Sequence, residues 1–219
     1  MAKIRIGGTI VSNDERWIYR WFDMDAFCPE DLRKQITNDN EELNIEINSP
    51  GGSVFAGSEI YTALKNHKGK VNVSIVGLAA SSASVIAMAG DTVKMSPTAQ
   101  MMIHNVSAVQ RGDYRDMEHI ATLLKKANET IANAYVLKTG KEKEELLEMM
   151  NEEKWFTPEE ALENKFVDEI LFTSDSNIDL QLVASAAGTI IPVEVIQQMQ
   201  QKKKQMGLEL ELLELGGIK

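Results

Sequence analysis

The sequence is poor in metal-binding and disulfide-forming residues, with one cysteine, Cys28, and three histidines among 219 residues. A single cysteine excludes an intrachain disulfide, and no Cys pair or His cluster has the spacing of a zinc site. We therefore predict neither a metal nor another cofactor. No run of about 18 apolar residues could span a bilayer, and the start "MAKIRIGGTIVSND" lacks the apolar core of a signal peptide. We expect a cytoplasmic protein with no membrane partner.

Basic residues are also scarce: the chain has 23 Lys and Arg but 33 Asp and Glu, which gives a net charge of -10. This balance argues against a nucleic-acid partner, and the basic cluster "QQKKKQ" at 200–205 is typical of a solvated helix face. The hydrophobic content of 43% is enough for one buried core. Because the composition changes at Thr173, we predict a globular domain over residues 1–173 and an appendage of linker and helix over 174–219.

Strand and helix patterns alternate along the first half of the chain. "KIRIGGTIVS" predicts a strand, a Gly-Gly turn and a second strand, and a helix is expected to begin near Pro29. "LNIEI" predicts a strand that ends in the turn "NSPGG", before the helix "VFAGSEIYTALKNH". The strand "VNVSIVG", the helix "LAASSASVIAMAG" and the strands "DTVKMS" and "AQMMIHN" follow. This alternation predicts an α/β fold with a largely parallel sheet.

A long helix is predicted from Tyr114 to Thr139, with Gly140 as its C-cap. Its apolar residues recur every three or four positions and form one stripe: Met117, Ile120, Leu124, Ala127 and Ile131. A further helix in "KEELLEMMN" precedes one opened by Thr157, which forms a capping box with Glu160. A final strand closes the domain.

The carboxyl ends of parallel strands collect reactive groups, and three such ends stand out: "SPGG", "AASS" and the end of "MMIH". Ser81 in the second is a candidate nucleophile, and His104 in the third is a candidate base for its proton. Attack on an amide creates an oxyanion, and backbone N–H groups of Gly52 and Ser82 are candidates to bind it.

A carboxylate would be needed to orient the imidazole, and Glu152 and Glu153 are the candidates. Each feature also has a structural interpretation. The small residues of "AASSAS" permit close packing, a single His after a strand is often structural, "SPGG" alone is a turn and "NEEK" alone is a charged surface. The chain has no G-x-S-x-G elbow, so it is not of the α/β-hydrolase kind.

Taken together and in order, "INSPGGSVFAG", "GLAASSASVIAMAGD", "MMIHN" and "WFTPEEALENKFVDEI" resemble the Clp protease proteolytic subunit family of serine peptidases. The resemblance implies the ClpP/crotonase-like fold of repeated β-β-α units with a long oligomerisation helix, here followed by a C-terminal helical appendage. It makes Ser81 the nucleophile and His104 the general base, with Gly52 and Ser82 forming the oxyanion hole.

The third catalytic position departs from the family pattern. The family typically has Asp fifteen residues before the aspartate of "VD", and counting back from Asp168 reaches Glu153. Glutamate accepts the same imidazole N–H bond, so Glu153 is the predicted orienting group and Glu152 the alternative.

The start of the chain also departs from the pattern, because the first core strand begins near Lys3, where housekeeping members carry an axial-gate segment. The chain has no P-loop of its own either. The resemblance is therefore to the phage-encoded, ClpP-related head maturation proteases. It implies an ATP-independent serine endopeptidase in heptameric or stacked homo-oligomeric rings. Such an enzyme processes scaffold and capsid proteins in the host cytoplasm or within proheads.

Three other functions stay open from the sequence. An ordinary Clp-type subunit would degrade proteins with an ATPase unfoldase, and an inactive ring that only organises assembly is conceivable because of Glu153. Crotonase-type enzymes share this scaffold and bind an oxyanion but act on acyl-CoA thioesters. They need no Ser-His pair, so Ser81 with His104 argues against them.

Overall fold

The computed structural model describes residues 2–173, so the predicted appendage of residues 174–219 lies outside the described residues. The eight strands of the described part are β1 (Ala2–Ile10), β2 (Ala26–Phe27), β3 (Leu43–Gly52), β4 (Val71–Ala80), β5 (Thr92–Met95), β6 (Gln100–Ile103), β7 (Lys154–Phe156) and β8 (Glu169–Ile170). Its seven helices are α1 (Arg16–Trp21), α2 (Pro29–Gln35), α3 (Val54–Lys65), α4 (Ser82–Ala87), α5 (Tyr114–Thr139), α6 (Lys143–Asn151) and α7 (Pro158–Glu163).

The strands form one mixed sheet in the order β2-β1-β3-β4-β5-β8, and β6 branches from β4 to pair with β7. All pairs are parallel except β6 with β7. The predicted α/β class and largely parallel sheet are therefore confirmed. Alternate residues of the central strands are fully buried because successive side chains point to opposite faces, as at Ile45 and Ile47 of β3 and Val73 and Ile75 of β4.

The prediction of two strands around a Gly-Gly turn was wrong, because β1 is continuous across Gly7 and Gly8. Its pairing with β3 shifts register between Gly7 and Thr9, so the glycines make a bulge and not a reversal. Gly8 has a φ of +69°, and a Cβ there would lie 2.2 Å from the carbonyl oxygen of Asp25. Helix α1, which follows, was not predicted.

Two strand ends were also predicted too early. β3 continues through "SPGG" to Gly52, which pairs with Ile10 of β1. β4 continues to Ala80, because Leu78 to Ala80 pair with the start of β6. The predicted helix over 78–90 therefore shrinks to the six residues of α4. Pairing with distant strands satisfies these backbone groups, and it overrides the local preference of small residues for a turn or helix.

The predicted bounds of α5 are confirmed, and so is its cap, since Gly140 has a φ of +71° and its N–H donates to Val136 O at 2.9 Å. The buried residues of α5 lie only in its last turns, at Ala132, Ala134, Tyr135 and Thr139. The predicted apolar stripe is half-buried or exposed in its first turns, and Met117 at its start is 39% exposed. The first half of α5 thus presents apolar surface that no other part of residues 2–173 buries.

The start of α7 is fixed by the predicted capping box. Thr157 Oγ1 accepts from Glu160 N–H at 3.2 Å, and Glu160 Oε2 accepts from Thr157 N–H at 2.9 Å. None of the helices within residues 2–173 is long and apolar enough to cross a membrane.

Candidate active site

Ser81 occupies the junction between β4 and α4 in a backbone conformation that is uncommon for a residue with a side chain, with φ +56° and ψ -128°. Hydrogen bonds hold both of its peptide groups. Its N–H donates to Met102 O at 3.0 Å, and its carbonyl oxygen accepts from Ser84 N–H at 3.0 Å. The conformation is therefore imposed by the adjacent strand β6 and by the first turn of α4.

His104 follows β6, and its Nε2 lies 2.8 Å from Ser81 Oγ. The two residues are 23 positions apart in sequence, but β4 and β6 are parallel neighbours, with Ala80 beside Met102. Serine and imidazole thus meet because each follows the carboxyl end of its strand. A hydroxyl within hydrogen-bond distance of an imidazole is the arrangement required for general-base activation of a serine.

The glycine turn at the end of β3 packs directly against the peptide of Ser81. Gly51 has a φ of +88°, and a Cβ there would lie 2.5 Å from Ala80 O and 3.0 Å from Ser82 N. The buried Ser49 fixes this turn, since its Oγ accepts from Gly51 N–H at 3.1 Å and donates to Gly8 O at 2.6 Å. Only glycine permits this approach of the two strand ends.

A cavity of about 240 Å³ opens beside the Ser-His pair. The predicted oxyanion-hole residues Gly52 and Ser82 line it together with Ser81 and His104. Its remaining wall is mainly apolar: Val54, Val85, Val106, Ile131 and Tyr135. The structure therefore brings four of the predicted site residues around one side-chain-sized, mostly apolar recess.

The predicted acidic residue makes no hydrogen bond to the Ser-His pair within the described part of the chain. Within residues 2–173, the only hydrogen bond of the His104 side chain is with Ser81, and neither Glu152 nor Glu153 bonds to the imidazole. The antiparallel register of β6 and β7 pairs Ile103 with Lys154. Glu153 directly precedes Lys154 and His104 directly follows Ile103, so the two residues flank the last pair of this ladder. Glu153 also has a positive φ, +51°.

Sequence reasoning missed two hydroxyl groups beneath the nucleophile. Ser84 Oγ donates to Ser81 O at 2.6 Å and lies 2.8 Å from the hydroxyl of Tyr135. Ser84 is fully buried and Tyr135 is 1% exposed. The only sequence signal was the third serine of "AASSAS", three residues after Ser81 and so on the same face of a helical turn. Within residues 2–173, no cluster of three His, Cys, Asp or Glu side chains is placed to hold a metal ion.

Known proteins are similar in sequence to this part of the chain. The Clp protease family profile matches residues 28–174 of this chain. The ATP-dependent Clp protease proteolytic subunit of Deinococcus radiodurans is 36% identical over 142 residues, which are 64% of this chain and 70% of that protein. The ATP-dependent Clp protease proteolytic subunit 2 of Tropheryma whipplei is 32% identical over 145 residues, 65% of this chain and 81% of that protein.

With these similarities, the mixed α/β fold with its Ser-His pair defines a serine-type peptidase, a hydrolase of peptide bonds. The profile covers more than half of the chain, and β3, β4 and β6, whose ends carry the glycine turn, Ser81 and His104, all lie inside it. The chain belongs to the Clp protease family.

Proposed function

We propose that the protein is an endopeptidase in which Ser81 attacks the scissile carbonyl carbon and His104 Nε2 accepts the serine proton. The observation that carries this proposal is the 2.8 Å approach of Ser81 Oγ to His104 Nε2 beside an open recess. His104 then returns the proton to the leaving amine, and water, activated by the same imidazole, hydrolyses the acyl-enzyme.

The oxyanion of each tetrahedral intermediate is bound by the N–H groups of Gly52 and Ser82 in this proposal. Both residues line the recess, one at the end of β3 and the other at the start of α4. A preorganised donor of this kind stabilises the transition state by about 3 to 4 kcal/mol. The apolar wall of the recess then selects substrates, and its volume of about 240 Å³ favours an aliphatic side chain before the scissile bond.

Peptide hydrolysis by alanine variants of Ser81 and His104, with a matched control, tests these roles. Ser81→Ala and His104→Ala should each lower kcat by about 10³-fold or more, because the remaining groups cannot activate water efficiently. Ser107→Ala is the control, since Ser107 lines the same recess but is exposed and belongs to no proposed step. Full activity in Ser81→Ala would refute the proposal.

Glu153 is the proposed orienting group for the imidazole. Glu153 directly precedes Lys154, the ladder partner of Ile103, and His104 directly follows Ile103. This adjacency and the positive φ of Glu153 support the role. Glutamate is one methylene longer than aspartate, and its carboxylate would accept a hydrogen bond from His104 Nδ1–H.

The pair of variants Glu153→Gln and Glu152→Gln separates the two candidate carboxylates. Glu153→Gln should lower kcat, because the charged imidazole of the transition state loses its carboxylate, and should shift the acidic limb of the pH–rate profile. Glu152→Gln should match wild type in both. The reverse pattern would assign the role to Glu152, and no effect of either would leave a Ser-His dyad.

We also propose that the protein is a homo-oligomer of heptameric rings. The apolar surface that the first half of α5 leaves exposed supports this assembly, since a second copy would bury it. Analytical ultracentrifugation should show single rings of seven subunits or stacked pairs of rings with fourteen subunits. Met117→Glu should weaken stacking by placing a charge in the stripe, and a monomeric wild type would contradict the proposal.

For the biological role, we propose ATP-independent processing of phage scaffold and capsid proteins during prohead maturation. The length of chain beyond the family match, residues 175–219, supports it, because this segment would tether the protease to scaffold or shell. Neighbouring portal and major capsid genes would support this role. Deletion of residues 174–219 without loss of recruitment would contradict the tether.

The alternative role is a general degradation subunit, because both relatives are named as subunits of ATP-dependent proteases. Cleavage of a folded protein that rises when an unfoldase and ATP are added would favour this alternative. An inactive ring scaffold would show no peptidase activity in any assembly state.

A further inference from the structure

A chain of hydrogen bonds through two buried hydroxyl groups, those of Tyr135 and Ser84, runs from α5 to the nucleophile. Ser84 Oγ donates to the carbonyl oxygen of Ser81 at 2.6 Å. A serine hydroxyl has one proton, so this bond leaves Ser84 Oγ only as an acceptor toward Tyr135, whose hydroxyl lies 2.8 Å away. The direction of the chain is thereby fixed: Tyr135 O–H to Ser84 Oγ, and Ser84 O–H to Ser81 C=O.

The Ser81 carbonyl shares a peptide plane with the N–H of Ser82. In a trans peptide the C=O and N–H point in opposite directions, and residues 2–173 contain no cis peptide bond. Holding the Ser81 oxygen toward the interior therefore turns the Ser82 N–H the other way, and Ser81 and Ser82 both line the recess. When the Ser81 carbonyl accepts such a bond, the Ser82 N–H of the same peptide becomes a better donor, because hydrogen bonds in a chain polarise one another.

We propose that Tyr135 and Ser84 are positioning residues that lock the Ser81–Ser82 peptide so that Ser82 N–H is aimed at the oxyanion. The inference rests on the proposed function, in which Ser81 is the nucleophile. The Ser81 backbone is strained at φ +56°, and the Ser84 hydroxyl adds a further, shorter bond to a carbonyl oxygen that also accepts from the N–H groups of Ser84 and Val85.

The surroundings of Tyr135 keep it a permanent donor. Burial raises the pKa of its phenol well above the usual value, although the bond with Ser84 lowers it in part. The hydroxyl therefore keeps its proton throughout the range in which a Ser-His enzyme works. The ring is held separately, by edge-to-face packing on Phe166 with centroids 5.8 Å apart, so its hydroxyl can be removed without removing the ring.

The test compares Tyr135→Phe, Ser84→Ala and the double variant in the full-length assembled protein. The probes are a fluorogenic peptide for kcat and KM and a fluorophosphonate for the rate of labelling of Ser81. We expect a fall of about 10-fold in kcat and in labelling rate for Tyr135→Phe, a larger fall for Ser84→Ala, and KM within about 2-fold of wild type. Loss of an interaction made only in the transition state has this signature.

The double variant should be no slower than Ser84→Ala, because both groups act through one chain of bonds. Thr139→Val is the matched control for stability. It removes another buried hydroxyl of α5, whose Oγ1 donates to Tyr135 O at 2.8 Å, without touching Ser84. Because Thr139 Oγ1 also accepts from Lys141 N–H at 3.2 Å, this variant should lower Tm at least as much as Tyr135→Phe while keeping wild-type kcat and labelling rate.

Two results distinguish a failure of the positioning role from a failure of the proposed function. If Tyr135→Phe and Ser84→Ala lose only stability, as Thr139→Val does, and label Ser81 at the wild-type rate, the positioning role is wrong while the proposed function stands. If wild type itself forms no adduct at Ser81, the proposed function fails and the positioning role fails with it.

Discussion

Substituting Gly51 with alanine should damage both the fold and the chemistry, because the added methyl group has no free space. It would lie 2.5 Å from Ala80 O and 2.8 Å from the Cβ of Ser81. Adopting the φ of +88° costs a residue with a side chain about 1 to 2 kcal/mol, and overpacking adds about 1 to 3 kcal/mol. We expect a loss of about 2 to 5 kcal/mol in the free energy of unfolding.

The chain offers a control that isolates the contact from the backbone strain. Gly140 has a φ of +71° but nothing within 4 Å of its ideal Cβ, so Gly140→Ala should lose only the conformational cost of about 1 to 2 kcal/mol. A displacement of about 1 Å at the nucleophile costs about 100-fold in rate. Gly51→Ala should therefore lose at least that much kcat/KM, while Gly140→Ala keeps it.

Urea unfolding at one fixed protein concentration measures the free energy of unfolding, and peptide hydrolysis measures kcat/KM. Equal stability and equal kcat/KM in Gly51→Ala and Gly140→Ala would refute the close packing of the glycine turn against Ser81.

Two further predictions concern stability outside the site. Burial raises the pKa of Asp31, but hydrogen bonds from Arg16 and Cys28 outweigh it and hold that pKa below its usual value. The stability that this carboxylate contributes is therefore present above about pH 3.9, the unfolded-state value, and is lost as pH falls through the lower folded value. Urea titrations from pH 7 to 3 should show a steeper loss in wild type than in Asp31→Asn, and parallel curves would contradict this. Thr157→Ala should cost about 1 kcal/mol by opening the capping box with Glu160, and an unchanged urea midpoint would show that the cap contributes nothing.

Helix ends were predictable where the signal is local. The end of α5 at Gly140 and the start of α7 at Thr157 depend on residues within one turn of the boundary. The ends of β3 and β4 were mispredicted because they depend on pairing with β1 and β6, and small residues carry no local mark of a partner that far away in sequence.

The candidate site likewise has a part that the sequence predicts and a part that only the structure reveals. Motif order predicted Ser81, His104 and the glycine turn, and the structure brings them to one recess; their catalytic roles stay predictions. The contact between Ser84 and Tyr135 joins residues 51 positions apart. Neither residue had a motif of its own, so only the packing of α5 on α4 could reveal it.

The most direct measurement is the intact mass of the assembled protein after treatment with a fluorophosphonate, in wild type and in Ser81→Ala. Only an activated serine beside a formed oxyanion hole reacts readily. Wild type should form one adduct per chain and Ser81→Ala none. An adduct that persists in Ser81→Ala, or an assembled wild type that never forms one, would contradict the proposed role of Ser81.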